Sequence, residues 1–71
     1  MVEKYRIWYR GDHQNERFDE RFPGEIFDFD YARKLALAQL SNPRRLPASS
    51  IGWLDCCWRG SRGQECGLER V

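Results

Sequence analysis

From Lys4 onward the chain alternates. Tyr5, Ile7 and Tyr9 fall on one side, and Lys4, Arg6, Trp8 and Arg10 fall on the other. A repeat of two is the mark of a half-buried strand, here with one large aromatic, Trp8, on its charged side. The run GDHQN, residues 11–15, is turn-forming. ERFDERF, residues 16–22, then sets Phe18 and Phe22 among charges. It predicts a second strand, paired with the first as a hairpin and lying near an edge, where charge discourages further pairing. Pro23-Gly24 ends this strand, and GEIFD predicts a short third extended piece.

The period then changes. In YARKLALAQL, residues 31–40, the side chains of Tyr31, Ala32, Leu35, Ala36, Ala38 and Leu40 form one broad apolar stripe on a helical wheel. Arg33, Lys34 and Leu37 lie outside it. Asp28 or Asp30 can cap the first turn, because a carboxylate accepts its free N–H groups. The pattern predicts a helix over residues 29–41, stopped by Ser41-Asn42-Pro43. RRLPASS, residues 44–50, reads as a basic, proline-containing loop.

The last stretch, IGWLDCCWRGSRGQECGLERV, predicts a second hairpin. A two-residue loop at Ser61-Arg62 would set Cys57 opposite Cys66. A three-residue loop, Ser61-Arg62-Gly63, puts glycine in the left-handed position such hairpins favour. In that register Trp58 faces Cys66, Cys56 faces Leu68 and Arg59 faces Glu65. One face then reads Leu54, Cys56, Trp58, Cys66, Leu68, and a slip of one residue would destroy it. The cost is Asp55 opposite Glu69, a like-charge pair. Trp53 falls on the other face. The pattern selects the three-residue loop.

These elements predict an α+β fold, a small antiparallel four-stranded sheet with one helix packed on a face, in the order strand–strand–helix–strand–strand. Residues 1–71 suffice for a single domain. A chain this short buries only about 60% of its unfolded surface, so its core depends on large side chains. The predicted core is Tyr5, Ile7, Tyr9, Leu35, Ala36, Leu54, Cys56, Trp58 and Leu68. The longest strongly apolar run, Leu35–Ala38, is far too short to span a membrane. The first residues, MVEKYRIWYRG, lack an apolar signal core, which leads us to expect a cytoplasmic protein.

Charge narrows the function classes. Twelve Lys and Arg stand against 11 Asp and Glu, a net charge of +1. That balance suits neither a highly basic nucleic-acid coat nor an acidic mimic of DNA phosphates. The basic residues are mostly arginine, which favours bidentate and stacked contacts.

Candidate catalytic chemistry is sparse. Cys56, Cys57, Cys66 and His13 could in principle ligate zinc, but adjacent cysteines on a strand point to opposite faces and no C-x₂₋₄-C knuckle is present. An odd cysteine count without an export signal also disfavours a disulfide. Cys56 and Cys66 read as small core hydrophobes. His13 reads as a solvated turn residue, and Glu16, Asp19, Glu20 and Glu25 as ion-paired surface groups. The glycines of RGSRG make a turn with no helix after it, so no phosphate-cradling loop is present. The expectation is a protein with no catalytic residues, metal or cofactor.

Trp8, between Arg6 and Arg10, is the informative position. With Trp53 and the Arg44-Arg45 pair it makes a predicted binding set, because Trp and Arg dominate interface hot spots. Two functions follow. The first is a non-enzymatic protein–protein binding module. The second is a small regulator that binds single-stranded nucleic acid on an Arg/Trp sheet face, although no RNP-type motif is present.

The layout KYRIWYR … GEIFDFDYARKLALAQL … SSIGWLDCCWRG resembles small phage-encoded accessory proteins, anti-CRISPR proteins among them. In those, an N-terminal strand pair, one Ala-rich helix and a C-terminal strand pair fill nearly the whole chain. The resemblance lies in layout and size, so it transfers no residue roles. It implies a stoichiometric inhibitor in the host cytoplasm that docks on a CRISPR effector complex, a protein or ribonucleoprotein partner, and blocks guide or target access. The near-neutral charge departs from the acidic DNA-mimic members and leaves docking on a protein surface.

Overall fold

In the computed structural model, which describes residues 3–11, 17–47 and 50–71, the alternating N-terminal stretch forms strand β1, Tyr5–Arg10. Four further strands follow: β2, Asp19–Glu20; β3, Arg44–Arg45; β4, Cys56–Arg59; and β5, Glu65–Arg70. One helix, α1, spans Phe29–Leu37. The sheet is antiparallel throughout, in the order β2-β1-β5-β4-β3. The α+β class is as predicted, with five strands where four were expected. The predicted turn residues 12–15, with His13, lie outside the described residues, as do Glu16 and residues 48 and 49.

The C-terminal hairpin adopts the three-residue loop. Trp58 pairs with Cys66, Cys56 with Leu68 and Arg59 with Glu65. The Gly60 N–H donates to the Gln64 carbonyl at 2.7 Å, and Gly63 sits at φ 87°. β5 then lies between β4 and β1, so the two ends of the chain share the middle of the sheet.

The extra strand corrects the loop expected at 44–50. Asn42 turns the chain at φ 47°, and Pro43 directs it along the open edge of β4. Arg44 pairs with Arg59, Arg45 with Trp58, and the Leu46 N–H donates to the Cys57 carbonyl at 3.0 Å. Two adjacent arginines show no alternation, so this strand had no signature in the pattern.

β2 is also shorter than its prediction. The chain bends at residues 21–24, with Gly24 at φ 100°. The bend packs Phe22, half-buried, against the main core, while Phe18 goes to the opposite face against Trp53. The piece at GEIFD is a single bridge, in which Tyr5 and Ile26 exchange hydrogen bonds of 2.8 and 2.9 Å.

Asp28 caps α1. Its carboxylate accepts from the N–H groups of Asp30 and Tyr31 at 3.0 and 3.5 Å. The helix packs across β1 and β5 through Ala32 and Ala36, both fully buried. Two alanines let the helix backbone approach the sheet closely, which turns the buried stripe away from the predicted one. Tyr31 and Ala38 are exposed, and Leu37 packs against the core instead. The helix ends at Leu37, before the predicted 41, and a turn then buries Leu40.

Beneath α1 the core holds Tyr5, Ile7, Cys56, Trp58, Cys66 and Leu68, with Tyr9 and Leu35 half-buried at its margin. Leu54 is buried but lies outside this cluster, and so does Cys57. Leu54 was expected beside Cys56. A bend at Asp55 breaks the alternation, and Leu54 instead packs on the face away from the helix, over Gly67.

Gly67 makes this second packing layer. A Cβ there would come within 2.5 Å of Leu54 Cδ1, 2.9 Å of the Cys56 carbonyl oxygen and 3.1 Å of Cys57 Cβ. Gly67→Ala should therefore cost about 1–3 kcal/mol, as overpacking a filled site does. Urea unfolding checks this, and an unchanged midpoint would refute the packing described for Leu54.

Candidate functional site

Strand alternation sets Arg6, Trp8 and Arg10 on the face opposite the helix, where they meet Glu69, Gly67 and Glu65 of β5. The Trp8 Nε1–H donates to Glu69 Oε1 at 3.0 Å, which fixes the ring. Leu54, seated over Gly67, carries Trp53 onto this face. Trp53 meets Trp8 edge-on, with ring centroids 5.3 Å apart and planes at 82°. Phe18 meets Trp53 the same way, at 5.7 Å and 89°. Trp53 is 48% exposed, and Trp8 is half-buried.

Arg10 is held on two sides. Its guanidinium lies 4.6 Å above the Phe18 ring and pairs with Glu65, which is only 5% exposed. Arg59 reaches the other Glu65 oxygen at 3.3 Å. One buried carboxylate thus joins β1, β5 and β4. Arg6 stands opposite Glu69, whose carboxylate is already engaged by Trp8.

The predicted set divides in two. Arg6, Trp8, Arg10 and Trp53 share the outer face. Arg44 and Arg45 sit on β3, three strand spacings from β1, or roughly 14 Å. There they line an open groove of about 650 Å³ with Asn42, Leu46, Arg59 and Ser61.

Three features escaped the pattern. Phe18 was read only as a strand residue; the pairing of Trp8 with Glu20 and Tyr9 with Asp19, which the pattern did not disclose, is what sets it beside Arg10 and Trp53. Arg59 was placed opposite Glu65 yet not counted as a binding residue. A second aromatic strip, Phe27, Phe29 and Tyr31, is exposed by 57%, 38% and 55% at the start of α1. Tyr31 was assigned to the buried stripe, and only the rotation of the helix reveals it as surface.

The thiols are free and buried. Burial raises all three above the ordinary value, Cys66 to about 12. A protonated, inaccessible thiol is a poor nucleophile. Among the described residues no three His, Cys, Asp or Glu side chains gather to hold a metal ion. No helix among them is long and apolar enough to cross a membrane.

Protein-family models, curated proteins and solved structures yield no match to this chain.

Two outcomes follow from this geometry. Reversing Arg10 should destabilise the protein, since it leaves a buried carboxylate facing a like charge. We expect Arg10→Glu to cost about 3 kcal/mol or more. Arg33→Ala, which removes an exposed 3.7 Å pair with Asp30, should cost under about 0.5 kcal/mol. Equal unfolding midpoints for the two variants would refute the structural role of Arg10.

The thiols set an alkaline limit. Cys66 has an ordinary value of 9.0 and titrates at about 12 when folded, so its contribution is complete below pH 9 and lost as pH climbs through 12. The Tyr5 phenol, raised to about 12 by donating to Glu3, works in the same direction. Unfolding midpoints should fall above pH 9, and less steeply in Cys66→Ala. At neutral pH a thiol reagent should label the unfolded chain and spare the folded one. Equally fast labelling of both would contradict the burial of the thiols.

Proposed function

We propose that this protein is a non-enzymatic protein-binding module that works through the outer-face aromatic cluster. The observation that carries the proposal is Trp53, half exposed yet held edge-on by Trp8 and Phe18. An aromatic fixed before binding loses little freedom on docking, which is what gives a hot-spot residue its contribution. A shallow depression of about 220 Å³, lined by Gly52, Trp53, Leu54, Asp55 and Arg70, lies beside it and offers a seat for a partner side chain.

The same face is less suited to single-stranded nucleic acid. Stacking platforms offer open ring faces to the bases. Here the aromatic rings pack edge-on against one another, and Glu20, Glu65 and Glu69 interleave with the arginines. Mixed charge of this kind repels phosphate as much as it attracts it and suits a protein surface. The layout resemblance makes a CRISPR effector complex the partner we propose to test first.

A pull-down from bacterial lysate containing such a complex, with and without nuclease, followed by calorimetry on the captured partner, tests the proposal. Trp53→Ala should weaken binding by at least ~2 kcal/mol with an unchanged circular dichroism spectrum. Lys34→Ala, on the outer side of α1, should change it by less than about 0.5 kcal/mol. Normal binding by a folded Trp53→Ala variant sinks the proposal, and so does capture of nucleic acid with no protein partner in the untreated pull-down.

A further inference from the structure

We propose that the groove between β3 and the β4–β5 turn is a binding site for a phosphate group. This proposal stands on the far edge of the sheet and does not depend on the aromatic face.

The first argument is electrostatic. Arg44 lies directly opposite Arg59 in the β3–β4 register, and Arg45, opposite Trp58, starts from the other side of the same edge strand. All three line one groove. Like charges facing each other across an antiparallel pair destabilise it. Their only compensation among the described residues is Glu65, which Arg59 shares with Arg10. Among the described residues no aspartate or glutamate lines the groove, although the chain as a whole carries 11 of them against 12 cations. An anion between these guanidinium groups would relieve the repulsion that the fold retains.

The second argument is chemical. Each guanidinium is a planar fork of N–H donors that fits the oxygens of phosphate in pairs. The facing forks of Arg44 and Arg59, with Arg45 lining the groove from the other side of β3, offer more donors than the two oxygens of a carboxylate can accept, whereas a phosphate group presents three or more acceptors. The Asn42 amide and the Ser61 hydroxyl add neutral hydrogen-bonding groups to the same lining.

The third argument is rigidity. The Ser61 N–H donates to the Ser41 carbonyl at 2.7 Å, which ties the β4–β5 turn to the end of the helical region. Asn42 at φ 47° and the Leu46 N–H bond to Cys57 hold β3 on β4. Glu65 steadies Arg59 from the side away from β3. The backbone that carries the arginines is therefore fixed before any anion arrives.

The phosphate could belong to a small phosphorylated molecule or to a nucleic-acid backbone, and two probes separate these sources. Inorganic pyrophosphate is titrated by calorimetry at physiological ionic strength. A short fluorescein-labelled oligothymidylate is titrated by anisotropy. Arg44→Glu and Arg45→Glu should each weaken pyrophosphate binding ~10-fold or more, the effect of losing a charge-assisted contact. Arg33→Glu, the same charge change on the helix, should weaken it less than ~2-fold, because salt screens so distant a charge. Circular dichroism should be unchanged in all three. Oligothymidylate binding that pyrophosphate displaces supports the site and identifies a nucleic-acid backbone as its ligand. Pyrophosphate binding without oligothymidylate binding supports the site and identifies a small phosphorylated molecule. The proposal fails if pyrophosphate does not bind saturably, if Arg33→Glu weakens binding as much as the β3 variants, or if an oligoglutamate peptide binds as tightly as pyrophosphate.

Discussion

The absence of a side chain at Gly67 is the constraint on which the outer face depends. This glycine sits in β5, flanked by Trp8 on β1 and Cys57 on β4. Glycine weakens a strand, since it brings more backbone freedom and nothing to pack. Here the empty position is a slot, and Leu54 occupies it. Seating Leu54 draws the segment before β4 across the sheet, buries Cys57 and delivers Trp53 to Trp8. The helix side needs none of this, because Ile7, Leu68 and the two helix alanines close it without Leu54. One sheet thus carries a principal core on one face and a smaller aromatic layer on the other.

Glu65 is the electrostatic counterpart of that slot. It is buried on the central strand, and its two oxygens serve arginines on the strands either side. A carboxylate so placed is costly to desolvate and persists only when paired and hydrogen-bonded on both sides. Its position between Arg10 and Arg59 also links the two candidate surfaces. Arg10 also lies over Phe18 in the aromatic cluster, while Arg59 is among the residues that line the groove with Arg44 and Arg45. The same carboxylate therefore organises both without belonging to either.

Legibility in the sequence followed the range of the interaction. The C-terminal register was readable because a continuous apolar face tolerates no slip, and the Asp28 cap was readable because it acts within one turn. Trp8 was readable as an outer-face residue from alternation alone. What the pattern lacked was anything set by contacts between distant segments. β3 is two arginines that become a strand only because the edge of β4 offers them partners. Leu54 changes face because Gly67, on another strand, leaves space for it. Tyr31 is exposed because alanine, at Ala32 and Ala36, makes the closer approach to the sheet. The split of Arg44 and Arg45 from Trp8 is likewise a matter of strand order, which two separate hairpins do not disclose.

Strand order also explains how a chain of almost no net charge presents two different chemistries. The edge strands are both two residues long, acidic at Asp19–Glu20 and basic at Arg44–Arg45. Short, charged edges resist pairing with other chains, so some charge there is expected for solubility alone. That need would be met by any arrangement, including arginines with carboxylates beside them. On the outer face that is how the charges fall, with each β1 arginine opposite a glutamate of β5. At β3 the arrangement differs, since the residue opposite Arg44 is another arginine. Edge protection accounts for the presence of charge at β3, but it gives no reason for like charges to face each other across the pair. An oxyanion between Arg44 and Arg59 does give one, and this is why the groove reads as a binding site in addition to a guarded edge.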